Sequence, residues 1–174
     1  MMEKNPDVVI QFSMVGPDEA QEVALLRNEV AEHLTQKYGL GRWSHLVSEK
    51  VVRLGISPTS RVLSARIGGE LAATLRLAQK KPWAIDPAWF TPVRRPLYLV
   101  DMAVKPAFQR SGVGRKTIGE AIRLSKAWPA DVIRLDAYDA NAGAGDFYHK
   151  CGFTKVGRVV YRKTPLIYFE MLLS

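Results

Sequence analysis

One stretch constrains the fold more than any other: residues 97–125 pass from an apolar strand through a glycine turn into an amphipathic helix. Leu97 to Val104 is a nearly continuous apolar run broken only by Asp101. A strand of that composition is buried on both faces, so its sheet must be covered on both sides. After Lys105-Pro106 the glycines Gly112 and Gly114 bend the chain into a helix with Ile118, Ala121, Ile122 and Ser125 on one face, stopped by Pro129. Any fold for this chain has to accommodate that strand, turn and helix in succession.

The flanking sequence supplies the rest of the sheet. Leu63, Ala65 and Ile67 alternate with polar residues, as do Leu71, Ala73, Leu75 and Leu77, and Gly68-Gly69 between them suits the two positive-φ positions of a tight hairpin. Val8 to Phe12 reads as a first strand. Val23, Leu26, Val30, Leu34 and Tyr38 recur at helical spacing up to Gly39, and a weaker pattern predicts a second helix over about Ser44 to Leu54, closed by Gly55. Val132 to Ala137 reads as a buried strand, Ala144 to Cys151 as a short helix, and Thr154 to Tyr161 and Pro165 to Leu172 as two final strands. The long segment from Gln79 to Pro96 carries four prolines with Trp83, Trp89 and Phe90, and reads as a structured loop. Its aromatics are expected to cover the acceptor side of a binding cleft or to form a contact in a homodimer.

This order mixes hairpins with crossover helices. It predicts an α/β (α+β) fold: one domain over residues 1–174, a mixed, mostly antiparallel sheet of six to seven strands and about four helices. The 174 residues, 47% of them hydrophobic, suffice for one substantial core and are too few for two ordinary domains. A single cysteine, Cys151, excludes an internal disulfide and every multi-cysteine metal motif. Met1 to Asp7 lacks the apolar stretch of a signal peptide, and no uncharged apolar run approaches the ~18 residues of a membrane helix. The expected location is the cytoplasm, with no membrane partner.

The net charge of +8 favours phosphate-bearing partners without choosing among them, and a basic surface needed only for solubility accounts for it equally well. The basic residues are scattered, and no platform of aromatics interleaved with them is evident, which argues against nucleic acid. The turn after Val104 is more specific. Free amides at a helix start, aided by the helix dipole, suit a pyrophosphate, and Arg110 and Arg115 would add charged contacts. Neither a Walker loop nor a three-glycine dinucleotide fingerprint fits this spacing, and a plain tight turn would explain the same glycines.

Here two segments resemble one family. Gln109-Arg110-Ser111-Gly112-Val113-Gly114 matches the Q/R-x-x-G-x-G/A signature of the GNAT N-acetyltransferases, and Met102-Ala103-Val104 resembles the strand before it. Downstream, Asn141 to Phe153 resembles the family's Asn-x-x-Ala-x-x-Phe/Leu-Tyr-x-x-x-Gly-Phe segment, and the hairpin around Gly68-Gly69 resembles its second and third strands. The likeness covers about Val8 to Leu172.

The resemblance implies a cleft where the strand ending at Val104 and the strand ending near Ala137 splay apart to admit acetyl-CoA. Met102 and Val104 would bond the pantetheine arm as an added strand would. The amides of Arg110, Ser111, Gly112, Val113, Gly114 and Arg115 would hold the pyrophosphate, and Asn141 and Tyr148 would line the thioester end. Tyr148 is then the candidate acid for the departing thiolate, or else a core tyrosine. Asp101, a charge in an apolar strand, is a candidate to orient or deprotonate the acceptor amine, with an ion pair to a nearby arginine or a solvent-facing bulge as alternatives. No metal is called for, since His33, His45 and His149 have no ligand spacing and fit surface positions, and Cys151 fits a packing role. The function implied is acetyl transfer to an amine of unidentified structure. The alternative is a non-catalytic acyl-CoA-binding module that regulates a partner.

Overall fold

The computed structural model describes residues 7–174. The expectation that the first residues form no apolar leader lies, for Met1 to Pro6, outside the described residues.

Among the described residues seven strands form one sheet: β1 (Gln11–Met14), β2 (Ser60–Ile67), β3 (Glu70–Ala78), β4 (Pro96–Val104), β5 (Val132–Tyr138), β6 (Thr154–Tyr161) and β7 (Thr164–Leu172). Four helices accompany them: α1 (Ala20–Tyr38), α2 (Glu49–Leu54), α3 (Val113–Ala127) and α4 (Gly145–Lys150). The spatial order is β1-β2-β3-β4-β5-β7-β6, and only β4 and β5 run parallel. This is the mixed, mostly antiparallel sheet expected. Gly68 and Gly69, at φ 57° and 83°, make the turn between β2 and β3.

Alternation along the strands separates two faces. On one, Leu63, Leu75, Leu99, Ile133, Leu135 and Phe169 pack with Ile118 and Ala121 of α3 and with Tyr148 of α4. On the other, Val23 and Leu26 of α1 and Val52 of α2 pack on Val62 and Leu71. The rest of that second face is covered by the loop between β3 and β4. Its Ile85 and Phe90 are buried against Tyr98 and Tyr168. Trp89 lies against Gly157 of β6, where a Cβ would come within 2.4 Å of the indole.

The loop is anchored through buried charge. Thr91 donates from its N–H and its hydroxyl to Glu170 at 3.0 and 2.6 Å, and its carbonyl accepts from Arg134 Nη2 at 2.8 Å. Arg134 and Glu170 are cross-strand partners in the β5–β7 ladder, both buried. Arg134 Nε has no partner among the described residues, so the guanidinium is incompletely satisfied. Arg134→Met removes its bonds to the Tyr98 hydroxyl and the Thr91 carbonyl and is expected to cost about 1–3 kcal/mol, read as a lower urea midpoint. A loss below about 1 kcal/mol would detach the loop's anchorage from this arginine.

Three expectations are corrected. The first strand is Gln11–Met14 rather than Val8 to Phe12. Gln11 pairs with Arg66, and β2 ends one residue later at the hairpin, so Val8 and Val9 lie past the hairpin tip with no strand to join. The second helix starts at Glu49 rather than near Ser44. Ser48 caps it by accepting from Val51 N–H, and residues 42–44 form a separate single turn of 3-10 helix. The loop 79–96 supplies no lining residue to the main cavity, because it packs on Tyr98 and Tyr168 where β4 and β5 are still joined. The acceptor role expected for Trp83 and Trp89 therefore falls. What the loop leaves for a contact with a second copy is Trp83, 81% exposed, with the outer part of Trp89, 48% exposed.

Candidate functional site

β4 and β5 pair only at Pro96, Leu97 and Tyr98, opposite Val132, Ile133 and Arg134. Beyond them β4 continues to Val104 and β5 to Tyr138, so two strand edges part and leave unpaired backbone along the gap. A bulge sits at this point in β4. Thr74 pairs with Ala103 and Arg76 with Val100, so Asp101 and Met102 together oppose Leu75 alone. Asp101 takes φ 57°, a left-handed conformation that re-aims the backbone as bulges do.

A cavity of about 420 Å³ occupies the gap. Tyr148 reaches it from the α3/α4 face, and Arg27, Asp136 and Tyr138 from the α1 face, so side chains from both sides of the sheet meet here. Asp101, Met102 and Ala103 of the bulge line it with Ala142, Gly143 and Ala144. Gly143 is required by close approach, since a Cβ would lie 1.8 Å from the Tyr138 carbonyl oxygen. Gly143 lies outside α4, which begins only at Gly145.

Asp101 takes the ion-pair alternative. Arg27 Nη2 donates to its Oδ1 at 3.1 Å and Arg76 Nε to its Oδ2 at 2.9 Å. Burial lowers the Arg27 guanidinium, and the Asp101 charge works against that. Both carboxylate oxygens are thereby engaged by guanidinium donors. Arg27 and Asp101 also line a second cavity of about 330 Å³ between α1, α2 and the sheet.

Asp136 was not singled out in the sequence. It lies in β5, lines the main cavity, and has no ion pair among the described residues. Burial pushes its carboxyl above the usual range, and the Asp101 charge adds to the shift. The available signal was the one that marked Asp101, a charge within an apolar strand.

Tyr148 is buried, with Phe147 and Phe153 edge-on to its ring. Burial holds its phenol protonated far above the ordinary tyrosine value. Asn141 is exposed in the turn before α4 and does not line the cavity, although the three residues after it do. His45, expected at the surface, is exposed and also borders the cavity; Cys151 packs beside the main core.

The glycine turn fits a phosphate cradle. Gly112, at φ 87°, precedes α3, whose first backbone bond runs from Lys116 N–H to Gly112 C=O. The amides of Arg110 to Arg115 have no backbone acceptor among the described residues. Gln109 Nε2 donates to the Val104 carbonyl at 3.0 Å, and the Ser111 hydroxyl donates to the Phe108 carbonyl, so side chains brace the turn from within. A Cβ on Gly114 would approach the Phe147 ring to 3.2 Å and Val104 to 3.3 Å, which makes this glycine the point where α3 and α4 close on β4. Among the described residues no group of three or more His, Cys, Asp and Glu side chains is placed to hold a metal ion, and no helix is long and apolar enough to cross a membrane.

Solved structures share this architecture. YncA, a putative acetyltransferase from Salmonella typhimurium with its cofactor acetyl-CoA, superposes with a TM-score of 0.67 at 15% identity, covering 95% of this chain and 94% of that one. The ribosomal-protein-S18-alanine N-acetyltransferase from Escherichia coli gives 0.66 at 17% identity, covering 95% of each chain. At these identities the likeness is one of fold. In sequence, the uncharacterized N-acetyltransferase YvbK of Bacillus subtilis is 28% identical over 90 residues, a match spanning 52% of this chain and only half, 50%, of that protein. The profile of the acetyltransferase (GNAT) family, whose enzymes use acetyl-CoA and no metal, matches residues 26–153. That match takes in α1, the bulged strand, the glycine turn, Asp136 and Tyr148, and the chain belongs to the GNAT acetyltransferase family.

Proposed function

We propose that this chain is an N-acetyltransferase that moves the acetyl group of acetyl-CoA directly to an amine within the gap between β4 and β5. The observation that carries the reading is the gap itself: one opening joins an unpaired strand edge, a protonated phenol and an unpaired carboxylate, and the strand that borders it runs on into a turn of free amides. The reading takes residues 1–174 as one cytoplasmic domain.

Met102, Ala103 and Val104 offer their backbone to the pantetheine arm, in the manner of strand addition. The amides of Arg110, Ser111, Gly112, Val113, Gly114 and Arg115 hold the pyrophosphate, with charge from the two arginines. Asn141 flanks the thioester end from the turn before α4. Acetyl-CoA supplies an activated acyl group with a thiolate as leaving group.

Asp136 accepts the proton of the incoming ammonium, directly or through one water, and its raised pKa improves it as a base. An amide of the Asp101–Met102 bulge stabilises the charge that develops on the carbonyl oxygen. Asp101, held by two arginines, fixes the bulge and orients the acceptor rather than deprotonating it. Tyr148 donates to the departing sulfur. Because its pKa stands well above the ~8.5 of a free thiol, it acts as a hydrogen-bond donor that follows the C–S bond as it breaks.

The test is free-thiol release from acetyl-CoA in the presence of a panel of amines. Tyr148→Phe keeps the ring and its packing, so acetyl-CoA affinity should persist while kcat falls about 10- to 100-fold, less at high pH. Unchanged kcat, where chemistry limits turnover, would reduce Tyr148 to a wall of the cleft. Saturable acetyl-CoA binding without thiol release for any amine would point to the non-catalytic module instead.

A further inference from the structure

The acceptor side of the cavity carries four charged side chains, Arg27, Arg42, Asp101 and Asp136, whose formal charges cancel. Three of them are already engaged by the protein. Arg27 is bonded to Asp101, which is held on its other oxygen by Arg76. Arg42 Nε donates to Thr164 Oγ1 at 3.1 Å and its Nη2 to the Arg162 carbonyl at 3.3 Å, tying the 3-10 turn of residues 42–44 to the β6–β7 turn. Both partners of Arg42 are neutral, but the residue is exposed and water meets its charge; the charge left within the cavity without a partner is the Asp136 carboxylate.

The rest of the wall is apolar. Val30, Ala31 and Leu34 share the face of α1 that carries Arg27, and Val47 adds to them. Trp43 meets Tyr138 edge to face with ring centroids 5.8 Å apart, and both rings border the cavity. Gly41 permits that placement, since a Cβ there would lie 2.4 Å from the Trp43 ring. The Arg42 tether holds the tryptophan across this side of the opening.

We propose that the acceptor is a small primary amine bearing a single positive charge on an aliphatic or aromatic body. This deepens the acetyltransferase reading above and rests on it. A polycation would find one free carboxylate in a protein of net charge +8, and every further ammonium would lie beside guanidinium groups or apolar surface. An amino acid would bring a carboxylate toward Asp136 while Arg27 is held by Asp101 and Arg42, exposed to water, offers it only a screened charge. A monoamine satisfies Asp136 with its ammonium, and its body fills the slot between α1 and the two aromatic rings, whose faces also favour a nearby cation.

Phenethylamine, phenylalanine and spermidine separate these classes, because the first two differ only by a carboxylate and the third only adds charge to an alkyl chain. Thiol release from acetyl-CoA is measured with each, alongside acetyl-CoA binding by thermal shift. Phenethylamine should show a kcat/KM at least about tenfold above both others. Trp43→Ala should raise its KM about tenfold while leaving ethylamine and acetyl-CoA affinity little changed, and Trp43→Leu, which keeps the loop filled, should show the same split. Faster turnover of spermidine or phenylalanine overturns the inference and leaves acetyl transfer standing. Equal losses for ethylamine and phenethylamine in both variants also overturn it. Acetyl-CoA binding with no thiol release from any amine overturns the acetyltransferase reading, and this inference with it.

Discussion

Asp136→Asn is expected to lower kcat/KM by about 10²–10⁴, with acetyl-CoA affinity preserved, since the amide keeps the shape of the carboxylate but removes its charge and its capacity to take a proton. The same substitution should stabilise the fold at neutral pH. Burial raises the Asp136 carboxyl above its unfolded value, so between those two pKa values the native state binds more protons than the unfolded state. Stability contributed by the protonated form is complete below the ordinary aspartate value of ~3.9 and is lost as pH rises through the folded one. The wild type therefore carries a penalty at pH 7 that asparagine removes, worth about 2–4 °C in Tm per kcal/mol relieved in a chain of this size. That gain should shrink as the pH is lowered toward the ordinary aspartate value. The acid limb of the wild-type activity profile belongs to the same group, with Asp101, Arg27, Tyr138 and Tyr148 facing the shared cavity. Full activity in the asparagine variant, or a stability difference independent of pH, would remove Asp136 from the chemistry.

The second large effect lies at the glycine turn. Gly112→Asp should abolish the thermal stabilisation given by acetyl-CoA, which at a hundredfold excess over Kd is about 2.7 kcal/mol in the wild type. Nothing lies within 4 Å of a Cβ built at Gly112, so the substitution meets no steric wall. It places a negative charge beside the amides that are to hold a pyrophosphate. It also forces a side chain into φ 87°, and Gly112→Asn separates the two causes because asparagine tolerates left-handed backbone without the charge. The asparagine variant should keep a measurable shift with acetyl-CoA. An aspartate variant with wild-type affinity would show that the pyrophosphate lies elsewhere.

Much of the sheet was legible from local signals. The β2–β3 hairpin announced itself through alternation and two glycines, and β4, the turn and α3 through an apolar run followed by helical periodicity. The β6–β7 turn lacked such a signal. Arg162 and Lys163 occupy positive-φ positions, at 45° and 65°, that glycine or asparagine usually take. Nothing local marks them for it, and the Arg42 bond to the Arg162 carbonyl comes from 120 residues away in sequence.

The site divides in the same way. The turn and Tyr148 sit in segments with fixed internal spacing, so their positions could be read along the chain. Asp101 and Asp136 carry the same local signature, and long-range contact alone distinguishes them. Arg27, 74 residues upstream, and Arg76, 25 residues upstream, converge on the first and leave the second unpaired. Trp43 and Arg42 carried no local signal, because periodicity says nothing of a side chain that folds across a gap.

The join of β4 and β5 has a mechanical consequence. Two half-sheets share three residue pairs, and Arg95 and Asp131 clasp them at the closed end, where the Arg95 N–H and Nη2 each donate to the Asp131 carboxylate at 2.9 Å. The free arm of β4 runs six residues past Tyr98, about 20 Å at the rise of a strand, so a rotation of about 3° at the join moves its tip by about 1 Å. The aperture is thus the long end of a lever with a short, fastened fulcrum. Under the function proposed, a donor whose arm bonds to the open edge would act there as a cross-brace, and loading the donor and stiffening the chamber would be one mechanical event.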